Sequence, residues 1–115
     1  MQYGETFKEI QDFSKKTKIN IINIKEVDLF NDFESIAALL KNLDLLISVS
    51  NSTVHLAGSL GVMTWVIKPK EHALFHYWNQ PNNKSPWYNS VKLFPFNKNW
   101  KNTIKKIKEQ LINFI

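Results

Sequence analysis

Four apolar runs with strand-like patterns are the strongest signal along the chain. Residues 43–49 form an almost wholly apolar run with β-branched residues, which is typical of a strand buried on both faces of a parallel sheet. Residues 62–67 form a second such run. The β-branched run at residues 19–24 and the short run at residues 91–94 predict two further strands.

Apolar positions spaced three and four residues apart predict the helices. These helices cover about residues 6–16, 33–43, 54–60 and 100–115. Thr6 and Glu9 match a capping box at the start of the first helix. Asn31 or Asp32 is placed to cap the second helix, and Gly61 is placed to end the third.

The alternation of strands and helices favours an α/β fold. We expect one three-layer, Rossmann-like domain with a mainly parallel sheet, in which residues 45–49 are an inner strand. The length of 115 residues is enough for one such core and too short for two. About residues 71–90 are dense in aromatic side chains and predict a long loop, which in a compact domain is usually either functional or poorly ordered. Residues 1–4 resemble the end of a strand that enters the first helix, so we expect part of a larger fold.

The composition excludes several classes of protein. The chain has no cysteine, which excludes disulfides, a thiolate nucleophile and cysteine-ligated metals. No apolar run approaches the ~20 residues of a membrane-spanning helix, and the N-terminus has no signal-peptide character, so we predict a cytoplasmic protein with no membrane span. All 15 basic residues are lysines, spread along the chain, and give a net charge of +5. Because specific base readout depends on arginine, we predict no nucleic-acid partner.

A polar turn follows the apolar run at residues 43–49. Its four residues are Ser50, Asn51, Ser52 and Thr53. They precede a predicted helix, whose unpaired N–H groups and dipole favour an anion at its start. Ordinary helix capping explains the same residue types, so both interpretations stay open. Lys68 and Lys70, directly after the next strand, are placed to meet the negative charge of a ligand.

Histidines are the next candidates for a site. His55 shares a helix face with Asn51 and Ser52, although a lone helical histidine is more often a core or interface residue. No second histidine or carboxylate stands near it at ligand spacing, so we predict no metal and no cofactor. His72 and His76 are four residues apart, but no third ligand has a recognisable spacing from them, and a chance pair is the simpler interpretation.

Three aromatic residues of the predicted loop have two interpretations. Trp78, Trp87 and Tyr88 either stack on a ligand or face a partner domain, or they are core residues that cover the edge of the sheet. The second interpretation is the one that we favour.

Several short motifs occur in an order that resembles one known family. They are Asp44-Leu45-Leu46-Ile47-Ser48-Val49, His55-Leu56-Ala57-Gly58-Ser59-Leu60-Gly61, Trp65-Val66, Ser85-Pro86-Trp87-Tyr88, Leu93-Phe94 and Trp100. With these motifs, residues 43–94 look like the donor-binding half of the heptosyltransferase-like glycosyltransferases, especially those joined to tetratricopeptide repeats. Residues 2–4 resemble the end of an earlier strand of the same domain.

This resemblance implies a two-domain GT-B fold that transfers sugars from nucleotide-sugar donors without a metal. The chain then corresponds to part of the C-terminal domain, which holds the donor. The donor- and phosphate-binding residues expected on this basis are Ser50, Asn51, Ser52, Thr53, His55 and Lys68. The turn departs from the family's commonest pattern, because the acidic residue of Asp-Thr-Gly or Asp-Thr-Ser is missing.

The resemblance also implies partners. They are a nucleotide sugar and either a separate N-terminal half or a tetratricopeptide-repeat protein. The family's usual catalytic base lies in the N-terminal domain, and this chain offers no convincing general base, so we expect no sugar transfer by the isolated chain. The alternative function is that of a non-catalytic remnant or a protein-interaction module that keeps the fold.

Overall fold

A parallel sheet of three strands, in the order β1-β2-β3, organises the larger part of the chain. The structure is a computed structural model that describes residues 6–68, 78, 80 and 82–114. The chain divides into two compact units, Met1–Ile36 and Ala37–Ile115. The elements among the described residues are α1 (Phe7–Thr17), α2 (Phe33–Lys41), β1 (Leu46–Val49), α3 (Ser52–Ser59), β2 (Thr64–Lys68), β3 (Val91–Pro95) and α4 (Trp100–Phe114). The α/β class with a parallel sheet is confirmed.

The first unit contains α1 and a stretch of irregular backbone. Thr6 precedes α1, but its side chain makes no capping hydrogen bond, so the predicted capping box is wrong. Residues 19–24 are exposed and irregular, where the sequence predicted a strand. β-branched residues fit a pleated, half-buried surface rather than fixing the backbone by themselves, and the exposed run lacks that setting.

Helix α2 begins with a carboxylate cap. The Ser35 backbone N–H donates to Asp32 Oδ1 over 3.0 Å, so Asp32 is the cap that the sequence left open between two residues. Hydrogen bonds from Ser35 lower the pKa of Asp32, first through the side chain and then through the backbone. The pKa of Asp28 is lowered too, chiefly by a hydrogen bond from the Asn31 side chain. Both carboxylates are therefore stabilised in their charged form just before the helix.

In the second unit, helices cover both faces of the sheet. Val54 of α3 belongs to a buried cluster with Val66 of β2 and Leu93 of β3. Ile107 of α4 belongs to another cluster, with Trp65 of β2. Because successive residues of a strand point to opposite faces, Val66 and Trp65 place α3 and α4 on opposite sides of the sheet.

The central strand of the described sheet is β2 and not β1. Among the described residues, strand β1 pairs with β2 alone and lies at the edge of the sheet, so the prediction of an inner strand at residues 45–49 is wrong in that respect, although its parallel direction is confirmed. On the face that α4 covers over β2, Ile47 and Val49 of β1 remain 39% and 49% exposed. The wholly apolar run therefore does not require burial on both faces.

The short helix α3 ends as the sequence predicts. Leu60 is its C-cap, and Gly61 follows with a φ of 72° in the left-handed region that favours glycine. None of the helices among the described residues combines the length and the apolar character that crossing a membrane requires.

Candidate functional site

The turn from β1 into α3 lies at the carboxyl end of a parallel strand. Asn51 has extended backbone and is the N-cap of α3. Its Oδ1 accepts a hydrogen bond from the Val54 N–H over 3.1 Å, and its Nδ2 donates to Ser48 Oγ over 3.1 Å. Both ends of the carboxamide are engaged, and the capping interpretation is confirmed for this residue.

Trp78 joins the ends of two neighbouring strands. Its indole Nε1 donates to Ser50 Oγ over 2.8 Å, directly after β1. The Lys68 ammonium, at the end of β2, donates to the Trp78 carbonyl over 3.3 Å. The tryptophan side chain is fully buried, so the core interpretation of this residue is confirmed. Ser50 and Lys68 are thus brought together by their bonds to one residue.

His55 lies between two aromatic rings. Its imidazole stacks on the Trp78 indole with a centroid distance of 5.0 Å and an interplanar angle of 23°. On another side, its Nδ1 is 3.1 Å from Tyr88 Oη, and the two rings meet edge to face. The histidine is therefore held in a defined orientation on the first half of α3.

The Tyr88 ring contacts α3 at Gly58, which has no side chain. A Cβ at Gly58 would lie 2.6 Å from Cγ of the Tyr88 ring, so the ring rests directly on the helix backbone. The loop that carries Tyr88 is fixed by the buried Ser85, whose Oγ accepts hydrogen bonds from the N–H groups of Trp87 and Tyr88, each over 3.2 Å. The neighbouring Trp87 is 66% exposed.

The predicted site residues are close in the chain but differ in their surroundings. Ser52 is the exposed first residue of α3, whereas the Thr53 side chain is buried. Ser50, His55 and Lys68 all contact Trp78. Five of the six residues thus have structural partners or are buried, and Ser52 presents the open side of the turn.

The described part of the chain contains no cluster of potential metal ligands. Residues 6–68, 78, 80 and 82–114 hold no group of three or more histidine, aspartate or glutamate side chains that could hold a metal ion. His72, His76 and Lys70 lie outside the described residues, as do the other residues of 71–77 and residues 79 and 81 of the predicted loop at 71–90.

Sequence reasoning missed two contacts of Tyr88 that are important to this geometry, one with Gly58 and one with His55. The close contact at Gly58 has a signal in the sequence. A glycine inside a helix lowers the stability of the helix, so it is expected where another group packs closely against the backbone. The Tyr88 hydroxyl carries no such signal, since its partner His55 is 33 positions away in the chain.

Comparison with known proteins finds a partial match to one bacterial protein. The chain is similar to Protein FlbA of Caulobacter vibrioides, with 30% identity over 95 residues, which are 82% of this chain and 15% of FlbA. The chain therefore spans only about 15% of the length of the curated relative that it matches. No protein-family model matches the chain, and no solved structure matches it significantly.

These comparisons contradict the family resemblance. The relative that they identify is FlbA, which is not named as a glycosyltransferase, and no model of a glycosyltransferase family matches. The predictions of a GT-B donor-binding domain, of glycosyltransferase function and of nucleotide-sugar binding are therefore wrong. The alternative of a remnant or interaction module gains no clear support from the match either.

Proposed function

We propose that the second unit is a Rossmann-like α/β domain that binds a phosphate-bearing ligand at the turn between β1 and α3. The observation that carries the proposal is the position of this turn. The N-terminus of α3 stands at the carboxyl end of a parallel strand, and Lys68 ends the adjacent strand. Ligands of open α/β sheets bind in the crevice outside these carboxyl ends.

The physical basis is the polarity of a helix start. The first N–H groups of a helix have no intrahelical partner, and its dipole favours negative charge there. Asn51 already satisfies the N–H of Val54. A phosphate therefore binds through the earlier N–H groups of Ser52 and Thr53 and through the exposed Ser52 hydroxyl.

The remaining predicted residues support this ligand in different ways. Lys68 supplies positive charge and exchanges its bond to the Trp78 carbonyl for a bond to the phosphate. Ser50 and Asn51 hold the turn in place through their own hydrogen bonds. His55 is held on the same helix, three residues after Ser52, which places it on the same face.

The experiment is a thermal-unfolding titration of the 115-residue chain with inorganic pyrophosphate. A ligand that binds only the folded state at a hundredfold excess over its Kd stabilises it by about 2.7 kcal/mol. Ser52→Glu places a carboxylate at the helix start, where it suits the dipole but competes with phosphate. We expect this variant to keep the stability of the free chain and to lose the pyrophosphate shift.

The matched control is Ser59→Glu, at the last residue of α3. It adds the same charge to the same helix but at the unfavourable end, so it lowers the stability of the free chain and retains the pyrophosphate shift. Sodium chloride at equal ionic strength controls for screening. If native chain shows no shift at millimolar pyrophosphate, or if both variants lose it equally, the proposal is wrong.

A further inference from the structure

Tyr88 contacts α3 at two points that are one helical turn apart. Its ring lies against the backbone at Gly58, where even a methyl group has no room. Its hydroxyl oxygen is 3.1 Å from Nδ1 of His55. A single side chain thus fixes both the position of the helix and the orientation of one imidazole.

Hydrogen bonds outside α3 hold the loop that carries Tyr88. The Ser85 hydroxyl accepts two backbone N–H groups of the Tyr88 loop, and the Val91 N–H at the start of β3 donates to the Tyr88 carbonyl over 3.1 Å. The ring also packs against the buried cluster that includes Val54. Tyr88 is therefore held by the sheet, and its hydroxyl is presented to α3 from a fixed direction.

The chemistry of the two partners decides the direction of the hydrogen bond. A phenol hydroxyl is a better donor than a neutral imidazole N–H, so Tyr88 Oη donates to Nδ1 of His55. An imidazole that accepts at Nδ1 carries its proton on Nε2. That nitrogen is then a hydrogen-bond donor, which is the polarity that an anion requires.

We propose that Tyr88 is a positioning residue of the phosphate site, which acts by holding His55 with its proton on Nε2 and by holding α3 against the sheet. This inference rests on the proposed function, but its first consequence is measurable in the ligand-free chain. Removal of the hydroxyl removes the donor that Tyr88 offers to Nδ1 of His55, while the ring continues to fill the space at Gly58.

The first experiment measures the imidazole nitrogens of His55 by ¹⁵N NMR at about pH 8.5, where free imidazole is neutral. Comparison with His55→Gln assigns the signals among the three histidines of the chain. In the native chain we expect an acceptor-type Nδ1 and a protonated Nε2. Tyr88→Phe is expected to lose the hydrogen-bonded acceptor signal of Nδ1, and Trp87→Phe, at the exposed neighbouring position, is expected to leave the native pattern unchanged.

The second experiment measures the Kd of pyrophosphate for Tyr88→Phe, His55→Gln and the double variant, at a temperature at which all are folded. Loss of the hydroxyl is expected to weaken binding by about threefold to tenfold. If Tyr88 acts through His55, the same substitution has no further effect in the His55→Gln background.

The outcomes separate this inference from the proposed function. Failure of pyrophosphate to bind the native chain refutes the phosphate site, and with it the second half of this inference, while the tautomer measurement still decides the first half. A native tautomer pattern in Tyr88→Phe refutes the positioning role outright. Equal and additive losses of affinity in the two single variants show that the residues act separately, which also contradicts the proposal.

Discussion

Gly58→Ala is the substitution that best tests how α3 is seated on the sheet. The added Cβ would lie 2.6 Å from Cγ and 2.9 Å from both Cδ atoms of the Tyr88 ring, whereas ordinary contact begins at 3.4 Å. The ring must therefore withdraw by ~0.8 Å relative to the helix to restore ordinary contact. That movement opens the 3.1 Å contact between Tyr88 Oη and His55 Nδ1.

Three effects decide the magnitude. Overpacking of a well-packed site costs about 1–3 kcal/mol. Loss of the hydrogen bond between Tyr88 and His55 costs about 1 kcal/mol more. Against this, alanine favours a helix interior by about 1 kcal/mol relative to glycine. We therefore expect a net loss of about 1–3 kcal/mol, although helix propensity alone predicts a gain.

The measurement is the free energy of unfolding from urea titration, together with the midpoint of thermal unfolding. A loss of 1 kcal/mol lowers the midpoint by about 4–8 °C in a domain of about 60–100 residues. Ser59→Ala is the matched control, because it makes the propensity change at the exposed next position of the same helix. Its free energy of unfolding is expected to change by less than ~0.5 kcal/mol.

A double-mutant cycle isolates the steric cause. In a Tyr88→Ala background the space beside Gly58 is open, and Gly58→Ala is then expected to stabilise the chain through helix propensity. A Gly58→Ala chain as stable as the native one, or a cost that persists without the Tyr88 ring, refutes the close approach of ring and helix.

Two further predictions concern other contacts. Trp78→Phe removes the indole donor to Ser50 and is expected to lower the free energy of unfolding by about 1–3 kcal/mol, while Trp87→Phe changes it by less than ~0.5 kcal/mol; urea titration of both variants compares them directly. Hydrogen bonds lower the pKa of Asp32 below 3.8, so its stabilisation of α2 is full above that value and is lost as the pH falls through the lower, folded-state pKa. NMR of the Ser35 amide is expected to report this loss in the native chain but not in Asp32→Asn, which keeps a neutral cap.

Local signals in the sequence predicted the elements whose causes are themselves local. Gly61 ends α3 because the residue after the C-cap takes positive φ, and Asn51 starts it because its side chain reaches the Val54 N–H three residues on. The amphipathic pattern of α4 likewise predicted a helix with Ile107 on its buried face. The caps of α3 depend on atoms of the same helix, and the buried face of α4 requires only an apolar surface to pack against.

Predictions that depended on distant neighbours were less successful. The run at residues 19–24 has the composition of a strand, but the structure leaves it irregular and exposed, because strand formation needs a paired neighbour. The strand at β1 was placed inside the sheet on the same composition and lies at its edge. Composition identified the strand at β1 but not its position in the order of the strands.

At the candidate site too, the sequence indicated the residue types but not their hydrogen-bond partners. Small polar residues at the turn were identified from sequence, yet the atom that Ser50 binds comes from Trp78, and the ring beside His55 comes from Tyr88. Neither pairing follows from spacing, since the partners are 28 and 33 positions apart. Sequence reasoning located the turn and left its hydrogen bonds to be found in the structure.

The hydrogen bonds of the turn show which substitution can test the two interpretations that the sequence left open. Asn51 uses both ends of its carboxamide within the protein, and Ser50 accepts the indole N–H, so substitution of either residue alters the turn itself. Ser52 is exposed at the helix start, and a carboxylate there suits the helix dipole. A ligand that depends on the turn must therefore lose affinity in Ser52→Glu without loss of fold. If capping were the whole role of these residues, that substitution would leave every binding measurement unchanged.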